Sequence, residues 1–285
     1  MNPDRQRPMS RLNAAAQFAA KPGSAKAAQL RSSFLISDPD APDAPTPLSA
    51  LIGGGGRGGG TRLGLLLTLL WVNTAPPFTS NRPPSWWAEM LGREGVNGAR
   101  AVQTNLRELE KRGFVKLAST GPGKPLQIGL LNEITGAPYE RPYDAGDRYI
   151  RVPATLWTTK ALTKLDSAGI SMYLILIYYH RADGAETWFS PAEFRRRHQL
   201  ADSTRTKGLN QLVEAGIIAA REQYVDTTTV DGFVSVPRRL YRINDTYLPP
   251  KTLATQNRSH TSAPAGQYES RDRLGFDPWG PHSPA

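Results

Sequence analysis

Arginine, asparagine, glutamine, serine and threonine do one kind of chemistry well when they share an exposed face: they hydrogen-bond to base edges and phosphates. Two stretches of this chain set such residues at helical spacing. In the first, Asn97, Arg100, Gln103, Thr104 and Arg107 lie off the apolar stripe of Val102, Leu106 and Leu109. In the second, Ser203, Thr204, Arg205, Lys207 and Asn210 lie off Leu209 and Leu212. Arginine can grip guanine with two N–H groups, asparagine or glutamine can grip adenine, and serine or threonine can hold phosphate. Arg195, Arg196 and Arg197 precede the second stretch, where they would neutralise phosphates. Lys124, Arg238 and Arg239 fall in flanking hairpin segments that could reach the adjacent backbone. Each set has a plainer reading as a solvated helix face, and one of the two stretches could serve protein docking instead.

The elements that must position these residues repeat. In NGARAVQTNLRELEKRGFVKL an amphipathic helix runs to Gly113, a C-cap glycine, and then into an extended segment. In DSTRTKGLNQLVEAGIIA the pattern returns without a gap: Leu209 falls on Leu106, Leu212 on Leu109, Gly216 on Gly113, and Ile217 and Ile218 on Phe114 and Val115. Internal repetition decides architecture before any other signal, so two copies of one module are expected.

Each copy is preceded by the same elements. In the first, an apolar helix covers Leu63 to Trp71, Phe78 to Ser80 form a short strand, and Ser85 caps a helix over Trp86 to Leu91. A hairpin of Phe114 to Ala118 and Leu126 to Leu131 follows, with Lys124 at its tip. In the second, an extended lead-in over Tyr149 to Pro153 and a short helix near Leu162 come first. A long apolar helix, Ile170 to His180, and a short strand, Glu186 to Phe189, lead to Ser190-Pro191-Ala192-Glu193, which joins a capping serine, a first-turn proline and a returning glutamate. Asp202 is the expected N-cap of the last helix. A longer hairpin spans Ile217 to Tyr224 and Phe233 to Ile243, with Asp231-Gly232 as its turn.

The expected organisation is a disordered tail and glycine-rich linker over 1–60, a first module over 61–131, a connector over 132–148, a second module over 149–248, and a second disordered tail over 249–285. The fold class is mainly α with small β wings, an α+β chain. Residues 1–60 are poor in large apolar side chains, apart from a short Ala-rich helix around Ala14 to Ala28. The run GGGGRGGG resembles a phosphate loop in spacing, yet Gly60 stands where the lysine must be and no strand precedes it, so it reads as a linker. Leu274 to Trp279 is an aromatic island in the tail that could dock a protein partner.

Other functions are narrowed by composition. The 285 residues include no cysteine, so disulfides and thiolate metal sites are excluded. His180, His198, His260 and His282 show no metal-ligand spacing. Tyr139 and Tyr143 match the tyrosine pair of some nickases only in spacing, since the His-hydrophobic-His metal site those enzymes need is missing. No nucleophile motif or carboxylate cluster points to catalysis, and no cofactor or metal is expected. Leu63 to Val72 is about half the ~20 residues a membrane span needs, and a cytoplasmic, nucleoid-associated protein is the expectation. The formal charge of +10 is spread along the chain and suits an anionic partner without specifying one.

The segments TNLRELEKRGFVKL and STRTKGLNQLVEAGII resemble the recognition helix and first wing strand of winged helix–turn–helix proteins. RYIRVPATLWT, the apolar helix after it and WFSPAEF are similar to segments of proteins from bacterial plasmids, phages and integrated elements, including replication initiators with tandem winged helices. The resemblance covers residues 61–247. It implies two winged helix–turn–helix domains that bind double-stranded DNA sequence-specifically without catalysis. A transcriptional regulator is the first expectation, a replication or maintenance protein the second, and a protein-docking adaptor the third. Oligomeric state does not follow from any of these residues.

Overall fold

Two glycines end two helices in the same way. Gly113 and Gly216 take φ of +78° and +70°, a region where a side chain would be strained. In each case the next N–H reaches back five residues: Phe114 donates to the Leu109 carbonyl and Ile217 to the Leu212 carbonyl, both at 2.9 Å. These are Schellman caps, and they make the repeat seen in the sequence a repeat of backbone geometry.

The computed structural model describes residues 14–53, 58–93, 95–142, 148–181, 183–229 and 232–250, with the side chains of 227–229 and 232–234 left aside. It is a mixed α and β fold with small sheets. In chain order the elements are α1 (Ala14–Ala19), β1 (Ala27–Arg31), α2 (Pro47–Ile52), α3 (Gly59–Val72), β2 (Thr79–Ser80), α4 (Pro84–Met90), α5 (Gly95–Lys111), β3 (Val115–Ala118) and β4 (Gln127–Leu130). Then come β5 (Tyr149–Pro153), α6 (Thr155–Thr158), α7 (Ser167–Tyr179), α8 (Pro191–His198), α9 (Asp202–Glu214), β6 (Ile218–Thr229) and β7 (Gly232–Ile243). The order α3–β2–α4–α5–β3–β4 is matched by α7–Thr187–α8–α9–β6–β7. β2 pairs with β4 through Thr79 and Gly129. In the second copy the strand shrinks to one bridge, in which Thr187 and Tyr241 exchange hydrogen bonds of 2.9 and 2.8 Å.

Both leading helices are apolar on nearly every face and therefore must be buried. They meet each other. A Cβ on Gly60 would lie 2.9 Å from the Ser167 nitrogen, so the first turn of α3 fits against α7 only because that position is glycine. Trp71 stacks on Trp157 with centroids 4.7 Å apart, and the Trp157 Nε1–H donates to Thr68 Oγ1 at 2.9 Å. One continuous apolar core thus runs through both copies.

Several expectations need correction. The stretch 1–60 is not simply a tail and a hinge: residues 14–52 carry α1, β1 and α2, and α3 begins inside the glycine run. β1 pairs antiparallel with β5, from Ala27↔Pro153 to Arg31↔Tyr149. Leu30, Phe34, Leu35, Leu48 and Leu51 are fully buried. A stretch poor in apolar residues is ordered here because its few large ones dock on a core that other segments build. The Ala-rich helix covers Ala14–Ala19 only, and Ala27 and Ala28 belong to β1. Residues 1–13, 54–57 and 251–285, which include Leu274 to Trp279, lie outside the described residues, as do Tyr143 and Asp231.

The connector is anchored rather than loose along residues 132–142. Arg31 and Glu133 form a buried ion pair of 2.8 Å, Glu133 also accepts the Arg31 N–H at 3.0 Å, and Arg31 donates to the Glu140 carbonyl at 2.7 Å. Three caps differ in detail. α4 starts at Pro84 after Pro83, because proline is preorganised for a first turn. Ser190 holds the N-cap position of α8 without a side-chain cap, and Glu193 grips Arg196 instead of returning to the serine. Asp202 is the first residue of α9 and Ala201 its N-cap. Finally, Thr229 pairs with Gly232, so Gly232 belongs to β7 rather than to the expected turn.

Candidate nucleic-acid interface

α5 is a 17-residue helix with one buried and one free face. Gly98, Val102, Asn105, Leu106 and Leu109 point inward. A Cβ on Gly98 would come within 2.3 Å of the Arg93 carbonyl oxygen and 3.3 Å of Ala88 Cβ, so this glycine lets α5 close on α4 and on the turn between them. The opposite face carries Asn97, Arg100, Gln103, Thr104 and Arg107, all exposed. Among the described residues, none of these five side chains has a hydrogen-bond or ion-pair partner. Lys111 extends the same face by one turn and is also exposed.

The two acids of α5 border that face and are engaged by the protein itself. Glu108 lies 3.7 Å from Arg112, and Glu110 accepts the Leu117 N–H at 2.9 Å. The N-terminal segment braces the end of the helix. Phe34 packs edge-on against Phe114 with centroids 6.0 Å apart, Arg112 donates to the Ala50 carbonyl, and Arg62 to the Leu51 carbonyl at 2.7 Å. Burial and the nearby Arg112 charge lower the Arg62 pKa. Lys124 is exposed in the turn between β3 and β4, where Gly121 and Gly123 take positive φ.

The second copy handles its charges differently. Arg205 is only 15% exposed: its guanidinium lies 5.6 Å from the Phe194 ring centre and 3.5 Å from Asp202. Lys207 pairs with Asp166 at 2.6 Å. Asp166 caps α7 by accepting from the N–H groups of Ala168 and Gly169. Burial opposes ionisation of Asp166, but hydrogen bonds from Lys207, Gln211 and the two backbone groups outweigh it and hold its pKa low. Arg195 lies 3.5 Å from Asp202, and Arg196 is bidentate to Glu193. Arg197 is half-buried, and its carbonyl accepts the Ser37 N–H at 2.7 Å. Arg238 stacks over Trp188 at 4.1 Å and Arg239 over Tyr241 at 5.8 Å. Of the polar residues expected on α9, Ser203 and Asn210 remain exposed and Thr204 is half-buried. The structure therefore gathers the first set on one free face and ties most cations of the second set to the protein's own carboxylates and rings.

His198 carried no expected role. It is buried, with Nδ1 2.7 Å from the Leu35 carbonyl and Nε2 3.1 Å from the Tyr179 hydroxyl. The carbonyl can only accept, so Nδ1 carries the proton and Tyr179 donates to Nε2. Burial lowers the His198 pKa to about 4 and raises that of Tyr179. No local signal could reveal this, because Leu35 is 163 residues away in sequence.

Among the described residues, no group of three or more His, Cys, Asp or Glu is placed to hold a metal ion, and no helix is long and apolar enough to cross a membrane. No protein family matches the chain, and no curated protein matches it.

Proposed function

We propose that the chain is a sequence-specific double-stranded DNA-binding protein, built from two winged helix–turn–helix units, that regulates transcription. The observation that carries this reading is the free face of α5. Five exposed hydrogen-bonding side chains, without partners among the described residues, share one side of a helix that follows the short helix α4 and precedes a hairpin with a lysine at its tip. A helix of this width fits the major groove, where its front residues meet base edges. α5 acts as the reading helix, with Arg100 and Gln103 toward bases and Arg107, Lys111 and Lys124 toward phosphates. The α8–α9 half serves as the body against which the first half is braced.

Selection of bound sequences from a random duplex pool, using the full chain at two salt concentrations, tests this. A single enriched motif whose recovery depends on α5 side chains is expected. Recovery of no motif at either salt concentration removes the reading.

A further inference from the structure

Val96 stands on the first turn of α5 and is 76% exposed, ahead of Tyr224 at 67%, Val236 at 41% and Ile134 at 40%. The space before it is open: a Cβ on Gly95 would meet nothing within 4 Å. Valine is a poorer helix former than the straight-chain polar residues common on helix surfaces. Exposed here, it adds neither packing nor propensity to the fold. Its neighbours on the same turn and the next are Asn97 and Arg100, which lack partners among the described residues.

We infer that Val96 reads the C5-methyl group of a thymine. This rests on the DNA-binding role proposed for α5. Of the four standard bases only thymine shows a methyl group in the major groove, and apolar side chains are what discriminate it. Val96 and Arg100 are one helical turn apart, about 6 Å along the axis. Residues at that spacing on a helix in the major groove meet neighbouring bases, so the thymine lies next to the base that Arg100 contacts.

The test uses the full chain and the duplex recovered from the random pool. Each thymine of the site is replaced in turn by uracil, which removes only the methyl group. Affinity is measured for the wild type and for Val96→Ala, with circular dichroism confirming that the variant is folded. At one position the uracil duplex should bind the wild type about three- to fivefold more weakly, the scale of one buried methyl group. The variant should bind both duplexes alike. A wild type indifferent to every replacement, or a Val96→Ala variant that keeps the full methyl preference, overturns the inference and leaves DNA binding by α5 standing. Failure to recover any site overturns both.

Discussion

At the scale of single residues, the two similar helices part company over where their cations point. Arg100 has no partner among the described residues, whereas Arg205 is held by Asp202 and the Phe194 ring. Arg100→Ala should lower affinity for the selected site by ~1–3 kcal/mol while leaving the melting temperature unchanged. Arg205→Ala should do the reverse, and binding isotherms beside thermal melts separate the two. His198 makes a pH prediction whose sign follows from its depressed pKa. The unfolded chain takes up the proton near pH 6.5 and the folded chain only near 4. Stability from this residue is therefore complete above about pH 6.5 and lost as pH falls toward 4, by up to ~3 kcal/mol. His198→Gln should flatten that slope in denaturant titrations between pH 7 and 4. Arg31→Ala would leave Glu133 buried without its cation and should cost ~3–5 kcal/mol.

At the scale of elements, α5 depends on pieces far from it in sequence. β1 completes a sheet with β5, Phe18 of α1 packs edge-on to Trp71 at 5.0 Å, and Phe34 meets Phe114. Residues 61–248 alone would expose these surfaces. Such a fragment should melt far below the full chain or fail to unfold cooperatively, as followed by circular dichroism. Equal stability of fragment and full chain would refute the bracing role of residues 14–52. Gly208 makes a similar point inside the second copy. A Cβ there would fall 2.3 Å from the Ala168 carbonyl oxygen. Gly208→Ala should push α9 off α7 and cost at least ~1–3 kcal/mol, with a matching loss in chemical denaturation.

For the whole molecule, a formal charge of +10 overstates what can meet a phosphate backbone. Arg195, Arg196, Arg205 and Lys207 already have carboxylates within 4 Å. The cations of the α5 face and the wing tip, Arg100, Arg107, Lys111 and Lys124, have no carboxylate partner among the described residues. If these carry the phosphate contacts, the logarithm of affinity should fall against the logarithm of salt with a slope no steeper than about −4. A markedly steeper slope would bring the α8–α9 face into contact with DNA.

Much of this chain is legible without coordinates, because the signals involved are local. The Val102, Leu106 and Leu109 stripe needs only helical periodicity. The Gly113 and Gly216 stops need only the φ that glycine tolerates, and their common spacing reveals the repeat. The free face of α5 is the complement of its stripe. What tertiary structure alone decided are the non-local pairings: β1 with β5, Arg31 with Glu133, His198 with Leu35, and Lys207 with Asp166. Nothing near Lys207 in sequence says that it faces the Asp166 cap of α7, whereas the Asp202–Arg205 pair follows a local i,i+3 spacing. The order of residues 14–52 was hidden for the same reason. Their few large apolar side chains cannot form a core among themselves, and become buried only because α3, α5 and α7 bring a ready surface to them.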